Sequence, residues 1–135
     1  MYAAGLTLDG FSSSLGIVPT FVKIDAEGSE IRILRGAQHL LKRADRPSLM
    51  FEYNPLTLSE TDSDCPSFRS LLSGYTLHYV DDFEGQKREV GEPVRSTDEI
   101  NWVCNLFAVP STEHSTARWK SALGAARRRL EAGPS

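Results

Sequence analysis

Four short apolar runs divide the chain. Between the first three, the hydrophobic period lengthens from two residues to between three and four. The run "TFVKI" (20–24) is short, β-branched and aromatic, and it is stopped by an acid and a glycine, which predicts a strand. From Ser29 to about Arg43, Ile31, Leu34, Ala37 (or Gln38) and Leu41 recur at spacings of three and four. Arg32, Arg35, His39 and Lys42 fill other positions, so this stretch predicts a helix. Glu27 and Glu30 lie near its start, and Lys42 and Arg43 near its end, the polarity that a helix dipole favours. "RPSLMFEYNP" (46–55) runs apolar from Leu49 to Phe51 between two prolines, a second buried strand. "SFRSLLSG" (67–74) reads as a short helix closed by Gly74, and "YTLHYV" (75–80) as a half-buried strand. "NWVCNLFAVP" (101–110) is a fourth strand, ended by Pro110. Residues 1–20 are turn-rich, with a short strand at most at Leu6 to Leu8, while 56–66 and 81–100 read as exposed connections. The tail "TARWKSALGAARRRLEAG" predicts an amphipathic helix carrying Trp119, Ala122, Leu123, Ala126 and Leu130 on one face. Arg127, Arg128 and Arg129 stand near its end.

The resulting order is strand, helix, strand, helix, strand, strand. Strand–helix–strand units imply parallel pairing through right-handed crossovers, and the last two strands, with no helix between them, are expected to be antiparallel. That is an α/β sheet, with 1–110 as its domain and 111–135 as a helical tail. A chain of 135 residues is enough for one core. Its net charge of −3 argues against a nucleic-acid partner, which favours a basic excess. No apolar run approaches the ~20 residues of a membrane span, and the first residues do not resemble a leader. Cys65 and Cys104 have neither metal-type nor redox-type spacing, and Cys104 reads as a small buried hydrophobe. Together these point to a cytoplasmic protein.

The chemistry concentrates in "FVKIDAEGSE" (21–30), where Asp25, Glu27 and Glu30 surround Gly28 at the exit of a strand. Ligands of open α/β sheets bind at the carboxyl ends of the parallel strands. Asp25 lies at that end of one strand and Glu52 at or near that end of the next, so both are expected to meet in one crevice. Gly28 suits the left-handed angle of a tight strand-to-helix turn. Read structurally instead, Glu27 and Glu30 serve a helix N-terminus and Asp25 forms an ordinary turn. A divalent cation held by Asp25, Glu27 and Glu52 is a further reading from carboxylate chemistry, although the spacing fits no EF-hand and no metal is expected. Lys23 alternates away from the core and is expected to pair with a carboxylate. His39 and His78 have no partner spacing and read as surface or packing residues.

Taken whole, "FVKIDAEGSEIRILRGAQHLL…RPSLMFEYNP" resembles the FkbM-type methyltransferases. The resemblance is carried by Lys23-Ile24-Asp25, Glu27-Gly28, Glu30, Leu34-Arg35-Gly36-Ala37, Pro47 and Glu52, with "LTLDGF" (6–11) upstream and Asp9 as its acid. It implies a Rossmann-like class I methyltransferase sheet, of which this chain would hold the last four strands. It also implies S-adenosylmethionine as cofactor, and O-methylation of a hydroxyl on a sugar, glycolipid or polyketide-like acceptor. Asp25 would be the acceptor-orienting base or lie near the sulfonium, Glu52 would position the acceptor, and Glu27 and Glu30 would bind substrate hydroxyls or shape the turn. Against cofactor binding by this chain stands its glycine distribution: ten glycines, no two closer than five residues apart, and so no glycine-rich nucleotide loop. The expected partners are therefore an N-terminal half-domain, or a second copy meeting an exposed edge strand. The alternative is an inactive remnant or a partner-binding fragment.

Overall fold

A computed structural model describes residues 5–56, 65–80 and 90–132. Four strands, β1 (Phe21–Ile24), β2 (Ser48–Tyr53), β3 (Tyr75–Tyr79) and β4 (Cys104–Pro110), form one sheet in the order β1-β2-β4-β3. The helices are α1 (Leu8–Leu15), α2 (Glu30–Arg35), α3 (Gln38–Lys42), α4 (Cys65–Leu71) and α5 (Glu113–Glu131), with a 3-10 turn at Thr97–Glu99. β1 and β2 are parallel, as the intervening helical segment requires. β4 pairs antiparallel with both β2 and β3. Consequently β2 and β3 run the same way without touching, because the last strand inserts between them. The fold is thus the Rossmann-like α/β arrangement expected, with parallel pairing restricted to β1 and β2.

The pleat sorts the side chains into two faces. Leu49, Phe51 and Tyr53 are buried on one face of β2, level with Ile24 of β1 and with Cys104, Leu106 and Ala108 of β4. Ile31 and Leu34 of α2, Leu41 of α3 and Phe68 of α4 complete this core. Phe68 meets Phe51 and Tyr53 edge to face at 5.0 and 5.7 Å. Each such fully buried ring stabilises the fold by roughly 1.5–3 kcal/mol. Cys104 is buried, as its apolar surroundings predict. The opposite face carries Phe107 and His78, and α5 covers them through Trp119, whose ring stacks on Phe107 at 4.6 Å and meets His78 at 5.0 Å. Gly91, at φ +85, passes so close to α5 that a Cβ there would collide with Leu123. No helix among the described residues is long and apolar enough to cross a membrane.

Four local expectations are corrected. Leu6 to Leu8 form no strand: Thr7 caps α1, its hydroxyl accepting from the Gly10 amide at 3.0 Å, and Gly16 closes the helix in the left-handed conformation. The single helix expected over 29–43 is two, because α1 docks into a break at Gly36. The Gly36 carbonyl accepts from the Asp9 amide at 3.0 Å, and a Cβ at Gly36 would stand 3.2 Å from Thr7. Beyond the break, Ala37 offers α3 no capping side chain, and the Asp9 carboxylate replaces it by accepting from the amides of His39 and Leu40, each at 2.9 Å. The fourth strand starts at Cys104, three residues later than the apolar run suggests. The connections expected at 57–64 and 81–89, and the side chain of Leu130, lie outside the described residues, whereas 90–100, expected to be exposed, buries Gly91, Thr97 and Ile100.

Candidate active site

The parallel register of β1 and β2 places Ile24 beside Phe51. Asp25 and Glu52 are each one residue further on. Continuing that register puts their Cα atoms roughly 5 Å apart, at the carboxyl ends of adjoining strands. Lys23 and Asp25, two residues apart, share a face, and their side chains meet in an exposed ion pair at 3.0 Å. Glu52 is opposite Asn105 of β4, so a neutral amide joins the two acids on the same side of the sheet. Nothing in the sequence singles out Asn105. Only the insertion of β4 beside β2 brings it there.

The turn after β1 is built around Glu30. This residue is 4% exposed, and its carboxylate accepts from the amides of Ala26 and Gly28, each at 2.9 Å. Two successive residues then take left-handed angles, Glu27 at φ 45 and Gly28 at φ 95. For Gly28 that conformation is free of Cβ strain; for Glu27 it is not. The Glu27 residue remains exposed while Glu30 turns inward. Of the two roles expected of Glu30, holding the turn and binding substrate hydroxyls, the geometry supports the first, since both carboxylate oxygens are already engaged with backbone. His39 projects into solvent from the Asp9 contact, and His78 packs under α5 with its Nδ1 3.0 Å from the Gly91 carbonyl. Burial lowers the His78 imidazole below its ordinary range, which the Gly91 contact offsets only in part.

Among the described residues no three His, Cys, Asp or Glu side chains are grouped so as to hold a metal ion. The turn at Ala26 to Gly28 is the natural place in this chain for an anion held by backbone amides, but Glu30 already occupies two of them. At this turn, therefore, two of the amides that could receive an anion are already taken.

The family model of the methyltransferase FkbM domain matches residues 6–83, more than half of the chain. No curated protein matches the chain. No solved structure matches it either. The matched span contains α1, the acids around Gly28, the broken helical pair and both parallel strands, and the chain belongs to the FkbM methyltransferase family.

Proposed function

We propose that this chain supplies the acceptor side of an S-adenosylmethionine-dependent O-methyl transfer to a hydroxyl on a sugar, glycolipid or polyketide-like molecule. The observation that supports this reading is the pair of acids, Asp25 and Glu52, on adjoining parallel strand ends in a family of methyltransferases. Asp25 orients the acceptor hydroxyl and takes its proton, with Lys23 holding the carboxylate in place. Glu52 positions the acceptor from β2, and Glu27, outward on its strained turn, binds a neighbouring hydroxyl of the same molecule. S-adenosylmethionine would supply the methyl group, and its nucleotide is gripped by polypeptide other than these residues.

The test is methyl transfer from labelled S-adenosylmethionine to a panel of such acceptors. It is run with the chain alone and with a glycine-rich half-domain of another family member added. Activity is expected only in the second case. Asp25→Asn should then lower kcat by about a hundredfold or more, the usual contribution of a positioned general base. Full activity in both Asp25→Asn and Glu52→Gln would refute the assignment. By calorimetry, the chain alone should bind S-adenosylmethionine no tighter than roughly millimolar, because no loop grips the nucleotide.

A second reading, a partner-binding fragment without activity of its own, is favoured by one observation. Among the described residues β1 is paired on one side only, and Phe21 on it is 48% exposed.

A further inference from the structure

On the face of the sheet that α5 covers, methyl transfer leaves one cleft unused. Ser115, Arg118 and Trp119 fall on one stripe of α5, since residues three and four apart are neighbours on a helix. They stand over Phe21 of β1, Ser48 of β2 and Phe107 of β4, and the space between measures about 280 Å³. Phe107 lies between two other rings, Phe21 at 5.9 Å and 17° and Trp119 at 4.6 Å and 8°. Three nearly parallel rings therefore form the apolar side of the cleft, and the outermost, Phe21, is half exposed.

The polar side has a definite sign. Among the described residues Arg118 is the only charged one lining the cleft, although the chain as a whole is acidic. Among the described residues Arg118 takes part in no ion pair. The hydroxyls of Ser48 and Ser115 stand beside it in the lining. The Trp119 indole N–H is enclosed and has no acceptor among the described residues. Size narrows the occupant further. The volume falls just under the roughly 300–1,000 Å³ of sites for drug-sized molecules, so it suits one ring and excludes a nucleotide or a folded peptide element. Thr20 and Phe21 open β1, whereas Asp25 follows it, so the cleft lies roughly 13 Å along the strand from the acids.

We infer that this cleft binds a small flat anion: a single aromatic ring bearing one carboxylate. The ring stacks on the half-exposed face of Phe21, and the carboxylate meets the Arg118 guanidinium. A sugar would not use the lone cation, and an aliphatic acid would not use the flat ring faces.

The experiment titrates the chain with 4-hydroxybenzoate, benzyl alcohol and cyclohexanecarboxylate, read by Trp119 fluorescence and by amide shifts along Ser115 to Ala122. Trp119→Phe assigns the optical signal, since Trp102 is the only other tryptophan. Saturable binding of 4-hydroxybenzoate near ~1 mM is expected for a ligand of about ten heavy atoms. Benzyl alcohol, lacking the charge, and cyclohexanecarboxylate, lacking the flat face, should each bind at least about fivefold more weakly. Arg118→Gln should weaken 4-hydroxybenzoate by about five- to tenfold and leave benzyl alcohol unchanged, while Arg118→Lys restores most of the loss. Arg118 is on the exposed side of α5, so these variants keep the fold. No saturable change up to about 20 mM, or equal affinity in Arg118→Gln, would overturn the site. Neither result bears on Asp25 and Glu52, which lie at the other end of the strands.

Discussion

Glu30 and Glu27 are three residues apart and chemically alike, yet the turn gives them opposite tasks. The carboxylate of Glu30 replaces water for the amides of Ala26 and Gly28 in a buried position. Hydrogen bonds to a charged acceptor contribute about 1.5–3 kcal/mol each, and buried amides left without partners add their own desolvation cost. Glu30→Ala should therefore lower stability by about 3 kcal/mol in urea unfolding. Glu30→Gln, which keeps an acceptor oxygen, should lose about half as much. If Glu30→Ala melts like the parent, the turn is held by something else. Glu27 shows the reverse. A non-glycine residue in the left-handed region carries a penalty of about 1 kcal/mol, relieved in Glu27→Gly. That variant should gain about 0.5 kcal/mol of stability once the larger entropy of unfolded glycine is counted. In the reconstituted enzyme the same change should raise KM for the acceptor. Stability gained together with unchanged KM would show that the strain serves no substrate contact.

Helix α3 has five residues and no cap of its own, so its start depends on Asp9 from another element. Folding holds the Asp9 carboxyl below the usual carboxylate value of 3.8. Burial alone would raise it, and the amides of His39 and Leu40 together with the His39 ring more than offset that. A depressed folded value means the stabilisation is complete above the unfolded value and disappears as pH falls through the folded one. Asp9→Ala should thus cost about 1 kcal/mol at neutral pH, the typical loss of a capping side chain, and the difference from the parent should shrink as pH drops below about 4. A difference that stays constant down to about pH 2.5 would mean that the charge is not what caps α3. Asp9 also marks where sequence reading stops. The four strands are legible because β-branched and aromatic runs end at acids, glycines or prolines. The break between α2 and α3 is not, because the hydrophobic period continues straight through it. What interrupts the helix is a tertiary contact, α1 closing on Gly36. Likewise Asp25 and Glu52 are visible as strand-end acids, whereas Asn105 becomes their neighbour only through the order of the sheet.

At the scale of the whole molecule, the sheet protects one edge and exposes the other. Beside the short β3 edge, Val94 donates to Leu77 and Tyr79 to Glu92, so a following segment covers that strand. Among the described residues β1 has β2 on one side only, and no proline or bulge interrupts it. The apolar side chains just before it add to the exposure: Leu15 at 57%, Ile17 at 46% and Val18 at 36%. Helix α1 buries none of its residues. An open strand edge flanked by exposed apolar groups is a template for another strand. Residues 1–135 in isolation should therefore show a mass that rises with concentration in size-exclusion chromatography with light scattering, and a shallow calorimetric transition. Ile17→Lys puts a charge beside the edge at a position already in solvent, so it should leave the fold intact and shift the population toward monomer. Adding a glycine-rich half-domain should do the same for a different reason, by occupying the edge, and should also sharpen the melt. Protein that is monodisperse and melts cooperatively at about 100 μM would contradict the edge argument, because a bare parallel strand should then have found a partner.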